Sequence, residues 1–353
     1  MTVLLSIVIP CLNEEQTIGR VIEDALHYSK KYFPRKFEVI ISDNGSTDGS
    51  LVIIKKYPVR LIKVPVRGYG AALHWGIMNS RGQYVLFADA DMSYPFINLP
   101  LFKKTISLNS DLVTGSRLAG NIEPGSMPWM HQHVGTPFLT FLIRSIYHLP
   151  ITDCTSGMQM IRRDFYPRLN MRNAGMEWGS ELIIKTALNK GRHIEVPIEF
   201  KKDQRNRAPH LSRWSDGWRY LKAIVLIKPS ALYPFIVIFP LLAFVLYPLN
   251  FSLSFLFFSL TYILILSLLA LHLMGSVIEK RHTPLSRFLI HFRLVPITIF
   301  GISIIIILAI LLPNDRLGMK LFLVNLIGIS CMWIFLIETI KTHLVNRLPE
   351  NIH

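Results

Sequence analysis

Five apolar runs rich in β-branched residues, each bounded by polar turns, most constrain how this chain can fold. They occupy residues 4–10, 37–43, 59–65, 83–89 and 111–117, with helical patterns between most of them. This alternation is the rhythm of a mainly parallel α/β sheet. Ligands of such sheets gather outside the carboxyl ends of the strands, where Asn13, Asp43, Arg67, Asp89 and Arg117 project. Polar groups converging at equivalent strand ends are hard to explain by stability alone. A dinucleotide-binding fold shares the rhythm but wants Gly-x-Gly-x-x-Gly after the first strand, and here that turn reads Pro10-Cys11-Leu12-Asn13-Glu14-Glu15. A P-loop is likewise absent from the sequence. The Gly-rich turn before a helix is Arg67-Gly68-Tyr69-Gly70, whose small residues permit close backbone approach to a ligand or simply make a strand-to-helix turn.

The chain is 51% hydrophobic and 17% charged, and the apolar excess is concentrated after about residue 229, so a soluble domain is expected to precede a membrane domain. Residues 231–249, 251–278, 294–312 and 319–340 are each long enough to span a hydrocarbon core. The link between the second and third spans carries Lys280, Arg281, Arg287 and Arg293, and the positive-inside rule places it in the cytoplasm. An even number of spans then puts both termini and the N-terminal domain on the same side of the plasma (inner) membrane. No cleavable leader is expected, because the first apolar run lacks a basic start. The expected division is 1–212 catalytic, 213–229 an interfacial amphipathic helix, 230–341 a four-span membrane domain and 342–353 a cytoplasmic tail.

A net charge of +15 does not read as nucleic-acid binding, because the basic residues flank the spans and the late soluble domain rather than forming one tract with interleaved aromatics. Membrane lipids and phosphorylated substrates are the better partners. Cys11, Cys154 and Cys331 are odd in number and lack ligand spacing, so they read as plain thiols. The spans hold few small-residue motifs; a homo-oligomer is left open.

Asp89-Ala90-Asp91 directly follows the apolar run 84–88. Two carboxylates one residue apart at a strand end can hold Mg²⁺ or Mn²⁺ against a diphosphate, since these ions take oxygen ligands and are often held by one or two carboxylates plus substrate phosphates. The same pair is too close along an extended chain to straddle an anomeric carbon from opposite faces, as glycoside hydrolysis requires.

The segments IVIPCLNEEQTIG (7–19), ISDNGSTDGS (41–50), RGYGAAL (67–73), FADAD (87–91) and VTGSR (113–117) occur in the order and at roughly the spacing of family 2 glycosyltransferases of the GT-A fold. With the expected spans, the chain resembles polyprenyl-phosphate glycosyltransferases of the dolichol-phosphate mannose and glucose synthase type. The resemblance implies that Pro10, Asn13 and Glu14 lie near the ribose or phosphates of a UDP- or GDP-linked sugar donor, and Asp43 and Asp48 near its base. Arg67 and Gly68 join that donor site. Asp48 also reads as an ordinary helix cap. The resemblance further implies a metal on Asp89 and Asp91, with Asp91 the direct ligand. It makes Arg117 the clamp of a polyprenyl phosphate acceptor, a role suited to a permanently charged bidentate fork.

Relatives carry an Arg and a Ser on the following segment, where this chain offers His131 and His133 as a pH-dependent second cation. A zinc site there is disfavoured, because no further Cys or His falls at ligand spacing. Asp153 and Ser156, in Asp153-Cys154-Thr155-Ser156-Gly157, match a stretch lining the site beneath the sugar, and Glu177 and Glu181 either bond sugar hydroxyls or cap a helix. Lys201, Lys202, Arg205 and Arg207 fall where relatives carry a basic loop over the donor diphosphate; Arg205 and Arg207 are placed at the donor.

The expected activity is single, inverting, metal-dependent transfer of a hexose to polyprenyl phosphate. Two other readings compete. A processive polysaccharide synthase would carry Gln-x-x-Arg-Trp, and Arg213-Trp214 lacks the Gln. A transport or scaffold protein with a degenerate sugar fold is at odds with the intact Asp89, Asp91 and Arg117.

Overall fold

In the N-terminal unit, seven strands form one sheet in the order β3-β2-β1-β4-β6-β5-β7. The computed structural model describes residues 3–205, then 217, 219–221, 223, 224, 227 and 233–246. The elements are β1 (Leu5–Cys11), α1 (Ile18–Tyr32), β2 (Phe37–Asp43), α2 (Ser50–Ile54), β3 (Arg60–Lys63), α3 (Tyr69–Met78), β4 (Tyr84–Phe87), α4 (Leu99–Ile106), β5 (Leu112–Ile122), α5 (Thr136–Tyr147), β6 (Gln159–Arg162), α6 (Trp178–Leu188), β7 (His193–Phe200) and α7 (Tyr233–Leu246).

β1 pairs in parallel with β2 and β4, and β2 with β3, so four of the five expected runs form a parallel block. The fifth run is longer than expected and continues as β5 to Ile122. Two strands were not singled out in the sequence. β6 inserts antiparallel between β4 and β5, and β7 closes the far edge parallel to β5. Only four residues long, β6 has little periodicity to read. In β7, Ile194, Val196, Ile198 and Phe200 alternate as a strand should, but Pro197 interrupts the run, which an edge strand tolerates.

The sheet is covered on both faces. On one, Leu5, Ile7 and Ile9 of β1 join Ile18, Val21 and Ile22 of α1 with Leu99 and Phe102 of α4. On the other, Val8 of β1 and Phe87 of β4 join Ala71, Leu73 and Ile77 of α3 with Trp178 and Leu182 of α6. All four residues of β4 are buried, the continuous apolar run of a strand covered on both sides. The described positions of 217–227 are helical, and Ile224 belongs to the second core, its carbonyl accepting the Tyr147 hydroxyl.

α7 lies in a separate unit, residues 228–346. Its Val237, Leu241 and Val245 are each about 60% exposed. Among the described residues no helix is long and apolar enough to cross a membrane. Apart from α7, which falls within the first expected span, the four expected spans lie outside the described residues, as do Arg207 and the expected tail, 342–353.

α3 lies flat on the sheet because Gly76 has no side chain: a Cβ there would sit 2.3 Å from Val8 Cγ1 and 2.6 Å from Ser42 Oγ. Gly76→Ala is expected to destabilise the N-terminal unit by about 1–3 kcal/mol through overpacking, read as a lowered midpoint in denaturant unfolding.

Candidate active site

The loops after β1, β2 and β3 are sewn together by side chains at the carboxyl edge of the sheet. Asn13 adopts a left-handed backbone (φ 57°), which Asn tolerates better than most residues, and its Oδ1 accepts the Thr47 N–H at 2.7 Å. Its own N–H donates to Ser46 Oγ, and the Glu14 N–H donates to Ser50 Oγ at 2.8 Å. Asp43, 4% exposed, accepts the N–H groups of Gly45 and Ser46. Asp48 accepts the N–H of Ser50 at 3.0 Å and of Glu15 at 3.1 Å, so it both satisfies the first N–H of α2 and ties the first loop down. Pro10 lies at the end of β1, the base of this loop.

Asn44, absent from the sequence-based candidates, donates to the Val66 carbonyl and accepts the Gly68 N–H, each at 2.7 Å. The guanidinium of Arg67 lies over Gly45. Gly68 has φ 138°, and a Cβ there would meet the Ala174 carbonyl oxygen at 2.1 Å, while one on Gly70 would meet Trp178. The close approach these glycines permit is therefore to the protein's own segment 174–178.

Asp89 and Asp91 have different surroundings. Asp89 Oδ1 accepts the Tyr69 hydroxyl at 2.7 Å, and Oδ2 lies beside Gly157, where a Cβ would come within 2.6 Å. Tyr94 holds Gly157 in place by accepting its N–H at 2.7 Å. Desolvation and the neighbouring charge of Asp91 push the Asp89 carboxyl up to about 7, against the Tyr69 hydrogen bond and the positive charges of Arg205 and Arg117. Asp91 instead turns one oxygen inward, accepting the N–H and hydroxyl of Ser93, and offers Oδ2 to the Arg205 guanidinium at 2.9 Å. Glu14 Oε1 reaches the same guanidinium at 3.1 Å. The cleft beside them is lined by Asn13, Glu14, Glu15, Gln16, Asp48 and Arg205.

Two carboxylate oxygens from separate elements thus converge on one positive group, a donor set that suits Mg²⁺ or Mn²⁺. Among the described residues, no three acidic, His or Cys side chains form a metal cage by themselves. Such an ion would therefore need water or substrate oxygens to complete its shell. Asp91 and Glu14, which converge on Arg205, are the carboxylates that would hold it.

Arg117, 8% exposed, lies within β5, just past the stretch paired with β6, and is gripped by Asp153, 0% exposed. Nε donates to Oδ2 at 2.7 Å and Nη2 to Oδ1 at 2.8 Å, a bidentate fork, and Nη2 also donates to Thr155 Oγ1 at 2.7 Å. The Phe200 ring lies under the guanidinium at 5.4 Å. Desolvation opposes both charges, but each partner overcomes it for the other, so Asp153 stays below its ordinary range and Arg117 above its own. Asp153, read from sequence as a substrate contact, is committed to Arg117. Ser156 is 3% exposed and accepts the Met158 N–H.

His131 and His133 lie in a π-helical turn before α5, and the exposed His133 ring stacks obliquely on Trp129 at 5.1 Å. Among the described residues the guanidinium hydrogen bonds of Arg117 go to Asp153 and Thr155. Thr136, at the start of α5, extends that group through Thr155 at 3.1 Å. From this turn and helix, Trp129, Met130, Val134, Phe138 and Phe141 present large apolar side chains that are 44% to 65% exposed. Glu181 accepts the N–H groups of Arg172 and Asn173 and pairs with Lys185, an anchoring role; Glu177 is buried just ahead of α6.

The sequence and the fold have known counterparts. The model for glycosyl transferase family 2 matches residues 6–169. The dolichyl-phosphate hexose transferase of Haloferax volcanii is 30% identical over 202 residues, covering 56% of this chain and 83% of that protein. The low-salt glycan biosynthesis hexosyltransferase Agl6 of the same organism is 35% identical over 233 residues, or 65% of this chain, which spans only 55% of the length of that relative. Among solved structures, glucosyl-3-phosphoglycerate synthase from Mycobacterium tuberculosis has a similar fold, with TM-score 0.51 and 22% identity over 63% of this chain and 78% of that one. The chain belongs to glycosyl transferase family 2, and its N-terminal unit has a GT-A-like α/β fold with a mostly parallel sheet.

Two outcomes are expected. Asp153→Ala leaves a buried guanidinium without its counter-charge and costs about 3–5 kcal/mol; a double-mutant cycle with Arg117→Ala in denaturant unfolding isolates the pair. Because the folded-state pKa of Asp89 is raised from 3.8 to about 7, the native state holds a proton that the unfolded chain releases. Between those pH values stability falls as pH rises, so the wild type should lose melting temperature relative to Asp89→Asn across that window.

Proposed function

We propose that this protein transfers a hexose from a nucleoside-diphosphate sugar, UDP- or GDP-linked, to a polyprenyl phosphate at the cytoplasmic face of the plasma membrane, with inversion at C1. The observation that carries this reading is the pairing of two opposite charges at one sheet edge. The Asp91 and Glu14 carboxylates converge on Arg205 beside the donor loops, and the Arg117 guanidinium of β5 lies close enough for Asp89 to feel its charge.

In this reading the donor nucleotide lies against the loops carrying Asn13, Asp43 and Asp48, with Arg67 and Gly68 beside it. Mg²⁺ or Mn²⁺ on Asp91 and Glu14, when bound, would neutralise charge that builds on the departing diphosphate. The solved structure with the similar fold binds Mn²⁺ and UDP, which supports a divalent ion in such a site.

The acceptor needs no general base. A phosphate monoester has a second pKa of about 6, so its oxygen is largely dianionic near neutral pH. That oxygen forms the new bond to C1 as the bond from C1 to the nucleoside diphosphate breaks, and displacement from the opposite face inverts the centre. Arg117 holds the acceptor in line; Asp153 and Phe200 fix the guanidinium so that little freedom is lost when phosphate arrives.

Two features support a membrane-bound acceptor. The exposed apolar residues of 129–141 suit insertion at headgroup depth, with Trp129 as an interfacial anchor. The four apolar stretches after residue 229 suit a multi-pass domain with both termini cytoplasmic. Relatives named for dolichyl-phosphate as substrate fit the same chemistry.

The test is transfer from radiolabelled UDP- and GDP-sugars into organic-extractable lipid, using membranes that hold the full chain, with Mg²⁺ or Mn²⁺. A mild-acid-labile labelled lipid is expected, reduced by a factor of at least about 10²–10³ in Asp91→Ala. Label in long polymer alone, or no incorporation from any donor by folded protein, would overturn the reading.

A further inference from the structure

Arg205 is bound more completely than a loop residue waiting for a phosphate needs to be. Its Nη2 donates to Asp91 Oδ2 at 2.9 Å and to Asp203 Oδ2 at 2.6 Å, its Nη1 to Glu14 Oε1 at 3.1 Å, and its Nε to both Asp203 oxygens. The side chain is 14% exposed. The backbone delivers it there: the Lys201 N–H bonds the Ser93 carbonyl at 2.9 Å and the Gln204 N–H the Asp91 carbonyl at 3.1 Å, so the segment after β7 runs alongside 91–93. One guanidinium therefore ties together the first loop, the end of β4 and the segment after β7.

We propose that Arg205 is the resident counter-cation of the donor site and that a divalent metal must displace it. The inference rests on the donor and metal reading above. Its basis is the single oxygen in dispute. Asp91 Oδ1 is committed to the N–H and hydroxyl of Ser93, so Oδ2 is the oxygen left for a metal, and Oδ2 is what Arg205 holds. Two cations cannot share that oxygen at contact distance without strong mutual repulsion at a protein-like dielectric. The metal and Arg205 are thus competitors for Asp91, and with the metal alone the exchange strands a guanidinium among displaced partners.

A diphosphate changes the balance. Its oxygens offer the fork a bidentate partner as good as the carboxylates it leaves. Asp203, two residues away, stays attached to Nε and keeps the group oriented during the exchange. Arg205 thereby makes metal binding conditional on nucleotide: it opposes the ion alone and favours the ion together with a diphosphate. It is a positioning residue with two partners, carboxylate at rest and phosphate when the donor is bound.

The test is titration of the full-length protein in detergent with Mn²⁺, followed by the electron paramagnetic resonance signal of free Mn²⁺, with and without UDP or GDP. In wild type, nucleotide should tighten Mn²⁺ binding strongly. Arg205→Gln should bind Mn²⁺ alone on the order of tenfold more tightly than wild type, while the tightening by nucleotide shrinks. Arg205→Lys keeps the competing charge but not the fork, so its affinity for Mn²⁺ alone should stay near wild type and its coupling to nucleotide should fall. Unchanged or weaker Mn²⁺ binding by Arg205→Gln with nucleotide binding intact overturns the competition. So does a gain in affinity for Mn²⁺ alone in Arg205→Lys equal to that of Gln. Failure of wild type to bind Mn²⁺ with either nucleotide would instead count against the functional reading itself.

Discussion

Burial of β4 on both faces is the constraint from which the site follows. Tyr84, Val85, Leu86 and Phe87 are all buried, so an unpaired charge is excluded along the strand, and its sequence turns acidic only where the sheet ends. β1 is similar, being apolar from Ile7 to Ile9, with Ser6 buried on a hydrogen bond to Glu38, and it yields Asn13 and Glu14 just beyond its end. Because β1 and β4 are parallel neighbours, their ends lie at one edge, and Glu14 comes within reach of the cation that Asp91 holds. The chemistry of the edge is a consequence of the dryness of the interior.

Charge at this edge is handled in two ways. Arg117 and Asp153 form a closed pair, buried and bidentate, with Thr155 and Phe200 completing the surroundings of the guanidinium. Such a pair fixes geometry more than it adds stability, since desolvation offsets much of the attraction. Arg205 sits instead among three carboxylates with an open cleft beside it, an arrangement with excess negative charge and room for exchange. The rigid pair suits a clamp and the over-coordinated arginine suits a moving part.

Much of the frame could be read from residue patterns. The runs ending at Asp43 and at the Asp89 motif became strands because β-branched stretches between helical patterns admit few other arrangements. β6 escaped because four residues are too few for periodicity, and β7 because Pro197 breaks a pattern that an edge position tolerates. Tyr69, Tyr94, Asn44 and Thr155 escaped for another reason: each acts on a partner distant in the chain, as Tyr94 does on Gly157 and Asn44 on Val66. Tyr69 stood inside a recognised motif, yet nothing in Arg67-Gly68-Tyr69-Gly70 says that its hydroxyl meets Asp89.

By itself the sequence determined the class of sheet, the strand ends at which polar groups would gather, and the family, because continuous apolar runs and motif order are properties of local chain. The tertiary structure decided what each charged group faces. It paired Asp153 with Arg117, set Gly68 against Ala174, turned Asp89 to Tyr69, and left Asp91 and Glu14 sharing Arg205. Those pairings depend on distances between segments as far apart as Glu14 and Arg205, and Coulomb energy and hydrogen bonding act through space, where neighbours along the chain carry no information about them.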